Sequence, residues 1–573
     1  MSDKAWKILK VLLVLGTVLA ALKLNFVDYT LDEEYQIVMA YRNISGDSLF
    51  KQMWEPHQTS AFFCAGLMWI YTTVLGTSTG VILFLRFVAL AIQIGLAYAV
   101  YKTLQGVVEK DYSFLLALLF FNIVPKNIQI PDFSNMQLWF LVIVVLSLIK
   151  YYKDKEKNKN SRYLLVIMGI ALSCEILTYP TCIILFPFLL IYILCKSGKE
   201  RIRDCVILTL TCAICGGTWM LCILSRVSLD EFLMNLDKLL SFDLTHDVSG
   251  VTNGKVLNYV ENVKLWGFWL AVILIVSGIL FVVFKAVWKH KGKNLEGKDG
   301  SLVYWLTAVL LSEGVQIYYW MIRSIGYEYL QIHLLVIWLA ALALWRHAGE
   351  GKKKLVPGIL ATLLAYAGVM YISDLAMYYT LPHGTLGIVF ALAVFVLVAK
   401  NSTINSKKCI MILLVSLCFC AICGKGYTLR SGQEKNDIFE VRNIMKKGPA
   451  AGIFADYMCA HIYNRNYENY REYLQPGDKV LIVANMIMSV STTSYMFDDY
   501  EVCHFSIVDP TTYDERLLVY WEQYPEKKPD VIVVDCWYGE VKEPADSWIM
   551  QYIEKDFGYT SVMDGDYVRF YRR

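Results

Sequence analysis

Long apolar runs recur along most of this 573-residue chain. A run of about 20 such residues is what a helix needs to cross the hydrocarbon core of a bilayer. In lipid only a helix or a closed barrel can satisfy its own backbone, so the runs fix the architecture before any motif is considered. They fall at 6–24, 79–101, 112–126, 133–151, 162–178, 180–196, 204–225, 264–288, 301–322, 328–346, 355–372, 384–400 and 408–424, about 13 in all. The composition agrees: 56% of residues are hydrophobic, 18% are charged, and the mean hydropathy is +0.44. That balance excludes a soluble globule. A formal net charge of +3 gives no reason to expect a nucleic-acid partner. Lys4, Lys7 and Lys10 precede the first run as in a secretory signal, but no small-residue cleavage site follows, so it is read as a span. Cys212-Ala-Ile-Cys215 and Cys420-Ala-Ile-Cys423 have a redox or metal spacing. Both lie in apolar helices with no His or Asp beside them and read as packing residues.

Lys and Arg set the orientation. With the N-terminus cytoplasmic, every second connection is basic, among them Lys153–Lys157, Lys196–Arg203, Lys285–Lys298, Lys352–Lys354 and Lys400–Lys408. The same parity decides Ser60–Leu75. Counted as a span, it would put the Lys153–Arg162 run outside, so it reads as a juxtamembrane or re-entrant helix. Residues 25–78 then form one outer loop, and everything beyond 424 is also outside. The protein is thus expected in the plasma membrane, multi-pass, in contact with membrane lipids, with an extracytoplasmic C-terminal region.

The outer loop gathers polar chemistry. Thr30-Leu-Asp-Glu33 has capping-box spacing and opens a helix whose Leu31, Tyr35 and Val38 share one face, suited to the membrane surface. Asp32 is accounted for equally by a helix N-terminus, which favours an acid. Glu55-Pro-His57 adds an acid and an imidazole. Arg86 enters the next span, where a cation either snorkels to the headgroups or meets a partner or substrate. Asp132 sits at the mouth of a later span, a place an N-cap also occupies. Glu175, Glu313 and Gln316 are polar groups within spans, and Arg323, Glu328 and His333 cluster at an exit. Asp243, His246 and Asp247 carry metal-ligating side chains, although a solvated loop explains the same spacing.

After Gly424 the composition turns charged and aromatic. Three apolar stretches, beginning at Asp478, Glu501 and Asp530, read as strands separated by helical patterns. Tyr559–Tyr571 alternates around Asp564-Gly565 as a hairpin. The expectation is a small three-layer α/β domain with a parallel sheet. It has no nucleotide-binding glycine motif and serves as a structural cap or an acceptor-binding module.

Asp32-Glu33, Ala40, Gly46-Asp47, Glu55-Pro56 and Gly76–Gly80 followed by Arg86 resemble, in order and spacing, the first outer loop of the C-type (GT-C) membrane glycosyltransferases. Within them the pattern is most similar to the protein O-mannosyltransferase and lipid A aminoarabinose transferase group, over roughly residues 1–200. The resemblance implies a GT-C-like polytopic α-helical membrane domain over 1–424 and an extracytoplasmic α/β domain over 425–573. It implies a sugar on a polyprenyl monophosphate as donor and inverting transfer at the outer face. The acceptor would be a glycan, lipid or protein of the cell envelope. Asp32 would be the general base, which a weak hydroxyl nucleophile needs within hydrogen-bond reach, and Asp132 the second acid. Glu33 and Glu55 would support them. The leaving phosphate needs cations or donors, and His57 and Arg86 are the candidates. No metal ligand is assigned, and a divalent ion is left open. The sequence departs from the aminoarabinose transferases where their Glu-Lys-Pro reads Glu55-Pro56-His57 and where Tyr179 replaces a lysine.

A second reading stays open, a non-catalytic membrane scaffold or a component of polysaccharide export or assembly. A transporter would show repeated halves and broken helices at mid-bilayer, and neither is visible. The loop parity makes a direct prediction. Cysteines introduced by Ser45→Cys and Lys155→Cys are expected to react with impermeant reagents from opposite sides, with Ser45 and the C-terminal domain outside. Labelling of both from one side would break the topology.

Overall fold

In a computed structural model of the chain, the described residues are 2–27, 31–125, 129–196, 198–242, 254–290, 295–323, 331–372, 381–400, 402, 406–427, 429, 438–483, 500–503, 514–537 and 539–573. Sixteen helices precede the C-terminal region among them. They are α1 (Asp3–Phe26), α2 (Leu31–Ile44), α3 (Ala61–Leu75), α4 (Val81–Leu104), α5 (Lys110–Asn122), α6 (Phe133–Lys155), α7 (Tyr163–Thr178) and α8 (Leu185–Lys196). Then come α9 (Arg201–Leu224), α10 (Leu229–Phe242), α11 (Gly254–His290), α12 (Gly297–Arg323), α13 (Gln331–Leu344), α14 (Val356–Ile372), α15 (Thr385–Lys400) and α16 (Ser406–Tyr427).

Each apolar run of the sequence overlaps one of these helices among the described residues. Among the described residues, eight are long and apolar enough to cross a membrane: those within α1, α4, α6, α9, α11, α12, α15 and α16. Shorter apolar helices fill 163–178, 180–196, 333–347 and 356–372, and α5 has only 13 residues. The chain is a multi-pass integral membrane protein. Its centre is α15, in which every residue from Thr385 to Ala399 is buried, as expected of a helix apolar all round. It packs closely on α14, where a Cβ added to Gly358 would lie 2.0 Å from the Phe390 ring. Glycine is therefore required at that crossing. By contrast α1, α9 and α11 keep long apolar faces exposed, Ile214, Leu221 and Val282 among them, as lipid-facing helices do.

Two helices of the first loop, α2 and α3, are shorter than the eight. The 15-residue α3 exposes Trp69, Ile70 and Val74 on one side. The expectation that α2 lies on the membrane surface is corrected. Glu33, Glu34, Gln36, Ile37, Val38, Met39, Ala40 and Arg42 are all buried, because α2 is enclosed by α3, α4 and the C-terminal region. Its polar side chains find partners inside the protein, which no amphipathic pattern reveals.

The C-terminal sheet is mixed, not parallel. Strand order is β4-β3-β5-β8-β7, with β3 (Lys479–Val483) parallel to both β4 (Glu501–Val502) and β5 (Val531–Trp537). The expected hairpin, β7 (Ser561–Asp564) with β8 (Val568–Arg572), adds antiparallel to β5. A short β6 (Glu540–Val541) pairs with β5, and β1 (Asn443–Ile444) pairs with β2 (Phe454–Ala455). Helices α17 (Tyr457–Tyr473), α18 (Arg516–Gln523) and α19 (Trp548–Tyr552) cover the sheet.

This region is fixed to the first loop through Arg42. Helix α2 ends at Ile44, and the turn after it passes through Gly46, whose φ of +110° suits a residue without a Cβ. The chain folds back so that Asp47 N donates to the Arg42 carbonyl at 3.0 Å. The buried Arg42 guanidinium then donates to Asp47 Oδ2 (2.7 Å), to Glu55, to the Gln52 carbonyl (2.6 Å) and to Tyr520 OH (3.1 Å). Lys527 Nζ reaches Asp47 Oδ1 at 2.5 Å. Two cations thus meet two carboxylates, which lets so much charge be buried. Burial pushes the Glu55 carboxyl up to about 7, against the pull of Arg42. Helix α10 completes the joint, with Asn235 Nδ2 donating to the Phe50 carbonyl and to Tyr524 OH, both at 2.8 Å. Arg42→Met removes the shared donor and leaves two carboxylates buried beside one lysine. It is expected to lower stability by about 3–5 kcal/mol, read from thermal unfolding in detergent. A loss under about 1 kcal/mol would contradict the role given to Arg42.

Candidate functional site

The acids and cations of the first loop converge on one end of the bundle. At the start of α2, Glu33 meets Arg86 of α4 in a two-pronged pair, Nε to Oε1 at 2.8 Å and Nη2 to Oε2 at 2.7 Å. Arg86 Nη1 also donates to the Asn25 carbonyl at 2.8 Å, at the end of α1. One guanidinium therefore ties the ends of three helices together. The fork geometry of arginine is what makes this two-pronged grip strong. Both side chains are buried.

From α2 the site continues through the loop that follows. Tyr35 OH donates to the Pro56 carbonyl. Ser60 Oγ donates to Gln36 Oε1 at 3.1 Å. These contacts bring His57 onto the start of α6, where its ring stacks on Phe133 at 4.1 Å between centroids and 9° between planes. His57 holds φ at +63°, a left-handed conformation that costs a non-glycine residue roughly 1–2 kcal/mol. The stack, and the Thr178 carbonyl 3.3 Å from Nδ1, hold it there. Strain kept at a polar loop is a pointer to function. Tyr179 meets the His57 ring edge-on at 5.1 Å and the His383 ring at 5.4 Å.

Asp132 is next to Phe133. It is fully buried and caps α6, with Oδ1 accepting from Asn135 N at 2.8 Å. Burial, and then the nearby Asp132 carboxylate, pushes the Cys64 thiol up, which sets Asp132 against α3. Below it a polar chain enters the bundle. His383 Nδ1 lies 2.7 Å from Gln137 Oε1, and Gln137 Nε2 donates to Glu175 Oε1 at 2.9 Å.

The structure thus joins Glu33 with Arg86 and Glu55 with Arg42, and stacks His57 on Phe133, the residue after Asp132. It does not bring Glu55 to His57's ring. Asp32 begins α2, next to the Glu33–Arg86 pair, and its side chain lies outside the described residues, as does all of Thr30. Asp243, His246, Asp247 and Glu328, and the Arg323 side chain, also lie outside them. Glu313 Oε2 lies 2.7 Å from His333 Nε2. Among the described residues no three His, Cys, Asp or Glu side chains gather as metal ligands. Sequence reasoning missed Arg42, Tyr520, Lys527 and His383. Arg42 lies in the last turn of α2, where a cation is ordinary, and nothing local marks the other three as its neighbours or as neighbours of Gln137.

No family model and no curated protein sequence matches the chain. Among solved structures, the Archaeoglobus fulgidus oligosaccharyltransferase tethered to an acceptor peptide aligns over 93% of this chain and 69% of its own. Identity is 14% and the TM-score is 0.39. Its apo form aligns over 93% and 70%, with 12% identity and a TM-score of 0.38.

Proposed function

We propose that this protein is a membrane glycosyltransferase of the GT-C type. It would move a sugar from a polyprenyl-monophosphate donor to an acceptor hydroxyl of the cell envelope, at the outer membrane face, with inversion. Asp32 is the general base. The observation that carries the reading is the double anchoring of α2. Glu33 and Arg86 hold its first turn, and Arg42 with Asp47 and Glu55 holds its last. A base must keep its position to act, and Asp32 is one residue from the first anchor. Asp132 and His57 adjoin the loop that follows the same helix.

The roles differ among the residues. Arg86 is already engaged by Glu33 and by carbonyls, so it positions the base and would reach a phosphate only by giving up that grip. His57, half-buried on Phe133, is the better phosphate contact of the two cations named from the sequence. Asp132 serves as a second acid at the N-terminus of α6. A non-catalytic scaffold is the second reading, favoured by one observation. Most charges of the first loop are spent on internal pairs.

The two readings part at Asp32. Asp32→Asn keeps shape and hydrogen-bond acceptor but cannot take a proton. Turnover, measured as sugar transfer from the native lipid-linked pool in membranes, is expected to fall by roughly 10²–10⁴ with thermal stability unchanged. Glu33→Gln is expected to do the reverse. It leaves the Arg86 charge buried without its carboxylate, costing about 3 kcal/mol with a modest loss of turnover. Normal transfer by a well-folded Asp32→Asn protein would refute the assignment of the base, and absence of transfer by the wild-type protein would leave the scaffold.

A further inference from the structure

A second polar feature lies at the same end of the bundle, apart from the first loop. Helices α5, α12, α13, α15 and α16 part around a small cavity. Its walls are mostly apolar, with Leu119, Leu334, Ile337 and Leu417 among them, and Lys425 enters from the last turn of α16. A lysine at the end of a span ordinarily snorkels to the headgroups. Lys425 turns inward and is 2% exposed. Its ammonium has the Phe121 carbonyl at 3.4 Å and the Phe121 ring centroid at 4.7 Å. Among the described residues no carboxylate lies within ion-pair distance of it.

The other charges on these helices sharpen the point. Glu313, which would be the counter-ion, is held by His333 Nε2 at 2.7 Å, and Ser312 Oγ lies 2.9 Å from His333 Nδ1. Lys23 is within electrostatic reach of Lys425 and adds positive charge. Asn122 Nδ2 is used by Thr17 at 3.0 Å. A buried ammonium with donors to spare is costly. What suits it is an anion that arrives with an apolar body, since the rest of the wall offers little to a hydrated ion. Lysine binds phosphate as a compact point charge.

We propose that this cavity binds the phosphate of a lipid phosphate monoester, with Lys425 as the cationic contact and the apolar wall against the first carbons of the chain. The choice of ligand class rests on the lipid-linked donor of the proposed function, while the site rests on the cavity and its buried cation. The test is equilibrium binding of radiolabelled farnesyl phosphate and, in parallel, dioleoyl phosphatidic acid. The full chain is held in phosphatidylcholine nanodiscs. Farnesol and inorganic phosphate are the controls. Lys425→Met, which relieves a buried charge and so leaves folding intact, is expected to weaken monoester binding at least about tenfold. Lys425→Arg is expected to retain it. Lysine-dependent binding of either monoester supports the proposal, and the tighter one names the source of the phosphate. Equal binding by wild type and Lys425→Met overturns it, as does binding of farnesol or inorganic phosphate as tight as the monoesters. The readout is binding and not transfer, so its failure leaves the role of Asp32 standing, and failure of that role leaves this site standing.

Discussion

The structure depends on a single buried guanidinium. Arg42 sits where the first loop, α2 and the C-terminal region meet, and it spends its donors on both carboxylates of that joint, a carbonyl and a tyrosine hydroxyl. A buried charge pair of this kind adds little net stability over an apolar substitute. Its effect is on geometry. The fork of an arginine fixes direction as well as distance, so the turn at Gly46-Asp47, the Glu55-Pro56 segment and α18 can meet in only one arrangement. Lys527 from the C-terminal region closes the charge balance on Asp47. Removing that region would therefore open the loop beneath it as well.

Arg86 repeats the device at the other end of α2. There the partners are Glu33 and the carbonyls that end α1. Between the two arginines, the helix that carries Asp32 is held against α3 and α4 along its length. A helix buried this way cannot serve as a loose amphipathic paddle. The proposed chemistry needs the opposite, a carboxylate kept in place while a lipid-borne donor and a separate acceptor come and go. The interior polar chain from His383 to Glu175 and the Lys425 cavity add polar groups at that end, where a headgroup rather than a lipid tail belongs.

Legibility in the sequence followed the range of the interactions. Helix positions were readable because apolar length is a local property, and each run overlaps a helix among the described residues. Which of them lie at the centre was not: α15 differs from α11 in what surrounds it, not in its own composition. In the C-terminal sheet, β3, β4 and β5 were readable as short apolar stretches and the β7–β8 hairpin from local alternation. The antiparallel addition of β8 to β5 depends on residues some 35 positions apart pairing in register, and no local pattern encodes that. For the site, Asp32, Glu33, Glu55, His57, Arg86 and Asp132 were all picked out by type and order. Their partners were hidden. Arg86 looked available because Glu33 is 53 residues away. Arg42 drew no notice because its partner Tyr520 is 478 residues away.

The central claim is that this bundle transfers a sugar from a lipid carrier. The most direct measurement is mass spectrometry of lipid-linked sugars and surface glycans in a strain lacking the protein, compared with its parent and with a complemented strain. The account predicts that a polyprenyl-monophosphate sugar accumulates, that an envelope glycan, lipid or protein loses one sugar residue, and that complementation reverses both. Unchanged lipid-linked and surface profiles in the deletion strain would contradict it.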